Sequence, residues 1–242
     1  MTTKKDIDIV LCNIPFMSVA YAPAGTSLLK ACIQEAGFTC TVKDYNIKLW
    51  QSQTNKETVA NLENYFTIQT PADVELQALI EQYYKLIIDE LIALNPRWIG
   101  FSVFTFQCQR ATTEIVKRLR PKFQGRIMVG GAGISTRGIA SSQADYAEGL
   151  LKEGLIDAFI KGDGDLALVE LMKDNFEYAG INGNPYKGVD NLNAIPKPDW
   201  SDVIDLPYMY HDKKVLPITG SRGCVRHCSF CDIHDVWTKF KV

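Results

Sequence analysis

Apolar residues along this chain fall into short, β-branched runs separated by stretches of helical period. Residues 6–13 (DIDIVLCN) read as a first strand, and 23–36 as a helix whose apolar face is Leu28, Leu29, Ala31, Cys32 and Ile33. Gly37 supplies the stop that such a helix needs. Residues 38–45 (FTCTVKDY) alternate in the manner of a second strand. The run 97–105 (RWIGFSVFT) is continuously apolar, as expected of a central parallel strand covered on both faces. A helix is expected over 110–119, strands over 126–129 and around 158–160, and a further helix over 165–176. Residues 46–95 are less regular. The part from 50 to 70 is polar with scattered aromatics. From 71 to 94, Val74, Leu76, Leu79, Ile80, Tyr83, Tyr84, Ile87, Ile88 and Leu91 recur at helical spacing, so this segment reads as a helical insertion feeding the third strand.

Strands alternating with helices at this spacing predict an α/β fold with a doubly wound parallel sheet. Such sheets bind ligands at the carboxyl ends of their strands, near the switch in strand order. The strand ends are Asn13-Ile14-Pro15, Ser102 to Thr105, Gly130-Gly131-Ala132-Gly133 and Gly162-Asp163-Gly164-Asp165. The glycines there also fit plain strand-to-helix turns, and Asp163 and Asp165 read as caps of the following helix.

Three prolines, Pro196, Pro198 and Pro207, mark 191–207 as an extended linker. Residues 214–219 (KVLPIT) then read as the first strand of something new, running straight into Gly220-Ser221-Arg222-Gly223-Cys224. The expected division is an α/β domain over 1–190, a Pro-rich linker over 191–212, and the start of a second domain over 213–242.

Composition narrows the setting. Hydrophobic residues make up 46% of the 242 positions and charged residues 22%, ordinary for a globular protein with a real core. The net charge of −2 and the absence of any basic block give no footprint for nucleic acid. The apolar run after the N-terminal lysines is short, is broken by Asp6 and Asp8 and ends at Asn13 and Pro15, which suits a buried strand better than a signal peptide. No stretch nears the roughly 18 apolar residues of a membrane span, so no membrane contact and a cytoplasmic location are expected.

Seven cysteines sit at 12, 32, 40, 108, 224, 228 and 231. The first four are scattered among apolar neighbours, as small buried hydrophobes are. The last three fall within eight residues, in C-V-R-H-C-S-F-C. A tight loop with that spacing can aim three thiolates at one small centre. Three thiolates satisfy three irons of a 4Fe–4S cluster, which otherwise takes four cysteines, and leave the fourth iron open. Gly220 and Gly223 remove bulk where backbone passes, and Arg222 and Arg226 bring positive charge towards an anionic cluster. A Cys₃His zinc site with His227 or His234 is the alternative, although zinc sites usually pair two separated couples and a second couple is missing.

The stretch PITGSRGCVRHCSFCDI resembles the CxxxCxΦC signature of radical S-adenosylmethionine enzymes. The resemblance implies ligation of a 4Fe–4S cluster by Cys224, Cys228 and Cys231, contact of Phe230 with the adenine side of S-adenosylmethionine, and reductive cleavage of that cofactor to a 5′-deoxyadenosyl radical. It further implies a reducing electron donor and a small-molecule substrate, here of unknown identity. The upstream α/β domain, the linker AIPKPDWSDVIDLPY and the glycine turns VGGAG and KGDGD are similar to the layout of cobalamin-dependent members, whose chemistry includes methyl transfer. By that likeness the sheet is of cobalamin-binding, flavodoxin-like type. Ser102, Thr105, Gly130 and Gly131 are then the residues expected to line the nucleotide tail of cobalamin, because small residues permit close backbone approach.

Two departures stand out. Cobalamin domains of the common type carry D-x-H-x-x-G after the first strand, with the histidine beneath cobalt. Here N-I-P-F follows instead, and the three histidines, 211, 227 and 234, all come after the sheet. Cobalamin held without a lower axial histidine and loss of cobalamin altogether both fit. Second, only 11 residues follow Cys231, whereas the (βα) barrel of radical enzymes needs several more units, so the chain is expected to be a fragment or a natural truncation that does not turn over alone. Two other functions remain open: a methylthiotransferase-like enzyme with an auxiliary cluster on cysteines of its first domain, and a non-catalytic cobalamin- or nucleotide-binding module.

Overall fold

The computed structural model describes residues 6–53, 55–68, 70–134, 146–185, 189, 191–208, 210–229, 231, 233 and 240–242. Five strands, β1 (Ile9–Asn13), β2 (Cys40–Asp44), β3 (Trp98–Ser102), β4 (Arg126–Gly130) and β5 (Ala158–Ile160), form one all-parallel sheet in the order β2-β1-β3-β4-β5. The α/β parallel fold expected from the sequence is the fold observed. Because the order reverses between β1 and β3, the switch point lies there, with Asn13 beside Ser102 at the carboxyl ends.

Both faces of the sheet are covered, which is why β1 and β3 alternate little in hydrophobicity, while the edge strand β2 does alternate. Val10 and Cys12 of β1 enter one core, and Ile9 and Leu11 enter the other. On the first face lie α3 (Lys56–Thr67), α4 (Val74–Leu94), α5 (Cys108–Leu119) and α6 (Tyr146–Lys152). On the second lie α1 (Ala24–Glu35) and α7 (Gly164–Met172), packed against each other. The short helix α2 (Tyr45–Gln51) sends Tyr45 and Leu49 to one core and Ile47 to the other.

The segment between β2 and β3 is more ordered than its composition suggests. Asp44, Asn55 and Asp73 each accept a backbone N–H in the first turn of α2, α3 and α4, at 2.9, 2.8 and 2.8 Å. Helix α3, within the stretch read as irregular, buries only Leu62, Tyr65 and Phe66, a narrow i, i+3, i+4 stripe. Helix α4 ends at Asn95, which takes the left-handed conformation (φ 44°) of a helix C-terminus.

The proline-rich stretch does not hang free. Lys30 of α1, with a side chain only 4% exposed, donates to Ser201 at 2.7 Å and pairs with Asp202 and Asp199 at 2.7 and 3.4 Å. Asp202 in turn accepts the Val42 N–H at 2.7 Å and so occupies a donor of the edge strand β2. Val203 and Tyr208 are buried with Ile9 and Leu11, and the Tyr208 hydroxyl donates to Asp44 at 2.5 Å.

One element is corrected. Residues 214–219 form no strand; among the described residues they have no ladder partner. Strand geometry needs a neighbour to satisfy its N–H and C=O groups, and this segment crosses the end of the sheet instead. Among the described residues no helix is long and apolar enough to cross a membrane.

Candidate functional site

A cleft of 350 Å³ opens at the carboxyl ends of β1, β3, β4 and β5, on the α1/α7 face. Its floor includes Gly100 in the middle of β3, over which Leu11 and Met128 close in so that a Cβ would lie 2.9 Å from both Leu11 Cδ2 and Met128 Sδ. Thr26, Leu28 and Leu29 of α1 form one wall and Leu168 of α7 the other. The rim carries Ser102, Phe104, Gly130 and Gly131, and then the β5–α7 turn with Gly162, Asp163, Gly164 and Asp165. Across the mouth runs the segment that precedes the cysteines, contributing Thr219, Ser221 and Arg222.

Of the four small residues expected to line a nucleotide tail, three meet in this cleft: Ser102, Gly130 and Gly131. Thr105 stands outside it. Its hydroxyl lies 3.8 Å from Cys108 Sγ, and its carbonyl packs where a Cβ on Gly133 would stand, at 2.5 Å. Gly131 is required by its backbone: φ is +105°, and a Cβ would approach the Val103 carbonyl oxygen to 2.6 Å. Gly130, one residue earlier, has ordinary room. Among the described residues no histidine lines the cleft. Where a histidine motif would begin, buried Asn13 donates to Thr26 Oγ1 at 3.0 Å, tying β1 to α1.

The two aspartates of the β5–α7 turn behave differently from expectation. Neither side chain caps α7. Arg222 Nη1 lies 2.5 Å from Asp165 Oδ2 and 3.0 Å from Asp163 Oδ1, and Nη2 lies 3.1 Å from Asp165 Oδ1. The side chains of Arg222, Asp163 and Asp165 are 10, 7 and 4% exposed. Although burial alone disfavours the charged guanidinium, the two carboxylates raise its pKa further above the ordinary arginine value. Arg222 likewise departs from expectation: its guanidinium is paired with the two carboxylates. The β5–α7 turn presents acid where a helix N-terminus commonly meets a phosphate.

The cysteine loop begins two residues later. Cys224 is half-buried and Cys228 and Cys231 are exposed; Cys224 Sγ accepts the Arg226 N–H at 3.3 Å, and the Cys231 N–H bonds the Cys228 carbonyl at 3.1 Å. The donor set, three accessible thiols on one glycine-flanked loop, suits a cluster by chemistry. The thiols are not gathered: among the described residues no three metal-binding side chains converge. Phe230 and His234 lie outside the described residues.

Cys12, Cys32, Cys40 and Cys108 are buried on separate elements. Burial pushes the Cys32 and Cys40 thiols up to about 12 and raises those of Cys12 and Cys108. Metal binding needs thiolates, so this set does not suit an auxiliary cluster.

Sequence reasoning missed Gly100 and the strap over the cleft. A glycine inside a β-branched run was a usable signal for close approach. The strap had none, because its contacts join residues 57 and 59 positions apart. A second, mainly apolar hollow of 510 Å³, which shares Ala24, Leu28, Thr219 and Arg222 with the cleft, is lined by Pro196, Pro198, Trp200 and Pro217.

No family model matches the chain, and no curated protein does. Among solved structures, the apo, selenomethionine-labelled cobalamin-dependent S-adenosylmethionine radical enzyme OxsB is similar over 90% of this chain, at 16% identity and a TM-score of 0.56. Two structures of the radical S-adenosylmethionine methyltransferase TsrM from Kitasatospora setae each match over 72% of the chain at a TM-score of 0.41. One holds the tryptophan substrate and a cofactor analogue, at 19% identity, and the other holds cobalamin and a 4Fe–4S cluster, at 17%. The OxsB likeness establishes a shared fold. The chain spans 27% of OxsB and 27% and 26% of the two TsrM chains.

Proposed function

We propose that this chain is the cofactor-binding N-terminal part of a radical S-adenosylmethionine enzyme. In this reading the cleft holds the nucleotide end of a cobalamin, and Cys224, Cys228 and Cys231 bind a 4Fe–4S cluster. One observation carries it: the stem of the cysteine loop, through Thr219, Ser221 and Arg222, is itself part of the cleft wall, so one short segment serves both sites. The fold shared with OxsB and the cysteine spacing support the same reading.

The cleft fits the group in size and shape. A volume of 350 Å³ suits a heterocycle with its sugar and lies at the lower end of ordinary ligand pockets. Gly100, Gly130 and Gly131 present backbone without side chains along its lining. Among the described residues the cleft lining offers no imidazole, so a cobalamin held there would sit without a histidine from this lining. The cysteine loop fits by donor chemistry, and ordering of the loop accompanies metal binding. When bound, the two groups supply reductive cleavage of S-adenosylmethionine and a transferable methyl group. This chain's residues bind and orient them. Substrate selection, the S-adenosylmethionine pocket and docking of the electron donor belong to the whole enzyme.

Anaerobic reconstitution with iron and sulfide, followed by gel filtration with hydroxocobalamin, tests both halves. The expected result is a brown protein with about four irons per chain, colour lost in Cys228→Ala, and co-eluting corrinoid retained by that variant. A colourless protein that takes up one zinc overturns the cluster. Corrinoid bound without a cluster leaves a non-catalytic binding module.

A further inference from the structure

The ion triad between the β5–α7 turn and the strap has a use beyond stability. Burying charge costs desolvation, so a buried triad is weak evidence for stability, and fixing an arrangement is the other use such a triad can have. Here the specified arrangement is the path of the cysteine-bearing segment. Arg222 meets Asp165 through two nitrogens and Asp163 through one, and its planar fork fixes direction as well as distance. Its backbone forms an antiparallel bridge with Lys241, at 2.9 and 2.8 Å. Leu216, Ile218 and Thr219, just before it, are exposed. All three members of the triad line the cleft, so a molecule entering the cleft contacts the groups that hold the strap. Filling the cleft lowers the dielectric beside the triad and strengthens the Arg222–carboxylate attraction. The added desolvation is small because the three side chains are already 10, 7 and 4% exposed. Coupling of this kind is reciprocal.

We propose that Arg222 is a positioning residue that seats the cysteine loop at the mouth of the cleft, and that a ligand in the cleft tightens that seat through Asp163 and Asp165. The seat stands on geometry alone. The coupling rests on the cobalamin reading given above, and the experiment separates the two.

Trypsin cleavage after Arg226 is followed by mass spectrometry in the native chain, Arg222→Lys, Arg222→Gln and Asp165→Asn, with and without cyanocobalamin, whose binding is measured separately by equilibrium dialysis. Cleavage after Lys85 on α4 reports global unfolding. The native chain is expected to be cut after Arg226 at least tenfold more slowly than Arg222→Gln. Arg222→Lys, which keeps charge but loses the fork, should fall between them. Cyanocobalamin should slow the native cut at least threefold further and leave Arg222→Gln unprotected. Equal rates in native and Arg222→Gln overturn the seat. Bound cyanocobalamin with an unchanged native rate overturns the coupling. Failure of cyanocobalamin to bind refutes the cofactor reading and the coupling with it, while the ligand-free rates still decide the seat. If Arg222→Gln is also cut faster after Lys85, the near-isosteric Asp165→Asn, which keeps the Asp163 contact, decides the seat by the same comparison.

Discussion

Gly130 and Gly131 are adjacent and chemically identical, yet the structure asks different things of them. Gly131 combines a positive φ with a 2.6 Å approach to a backbone oxygen, whereas a Cβ on Gly130 meets its nearest atom, the Ile160 carbonyl oxygen, at 3.6 Å. Gly131→Ala is therefore expected to destabilise the chain by about 1–3 kcal/mol, and Gly130→Ala by less than about 0.5 kcal/mol. Urea denaturation of both variants measures the difference. Equal midpoints would mean that the turn relaxes and that no close approach is enforced there. The sequence marks both positions as places of close approach and cannot rank them, because φ is set by how β4 hands over to the next turn. Asp163 and Asp165 teach a similar lesson. Acids at the start of a helix usually cap it, and nothing local reveals that an arginine 57 positions beyond Asp165 claims both.

Among the elements, the proline-rich stretch shows how tertiary contacts override composition. Prolines make it extended, but Lys30, Asp199 and Asp202 make it part of the fold. Burial on its own would raise the Asp199 carboxyl; the backbone and hydroxyl of Ser201, together with Lys30, hold it below the usual carboxylate range. A carboxylate depressed in the folded state stabilises fully above its unfolded pKa, near 3.8, and that contribution is lost as pH falls through the lower folded value. Protection of the Val203 and Ile204 amides, which both bond the Trp200 carbonyl, is accordingly expected to hold at about pH 5 and to decline below about pH 4. Lys30→Met should weaken that protection already at about pH 5, by about 1–2 kcal/mol, since its partners are about a quarter exposed. Hydrogen exchange corrected for intrinsic rates checks both, and native protection that does not change with pH would refute the clasp. Helices α3 and α6 escape a reading of the sequence for a different reason. Both are narrow-faced, and α3 becomes recognisable only through its Asn55 cap and the partners that Leu62, Tyr65 and Phe66 find.

For the molecule as a whole, the sheet, its two cores and the docked stretch through Tyr208 make a closed unit, while the strap is added on its end. A chain ending after Tyr208 is expected to keep one cooperative urea transition and native far-UV circular dichroism, because its core clusters are complete. It should bind cyanocobalamin at least tenfold more weakly than the 242-residue chain, having lost Thr219, Ser221 and Arg222 from the cleft wall. A broad, non-cooperative transition would show that the strap belongs to the core.

The sequence by itself determined the parallel α/β class, the strand ends where a ligand would sit, and three cysteines whose spacing has chemical meaning. These are local properties: period, turn chemistry and residue type within a few positions. Only the tertiary structure decided that residues 214–219 form a strap rather than a strand, that Thr105 leaves the cleft while Gly100 floors it, and that Arg222 answers two carboxylates. Each of those outcomes depends on which distant groups become neighbours. That is fixed by how α1, α7 and the β5–α7 turn pack on one face of the sheet, and no local pattern of residues records it.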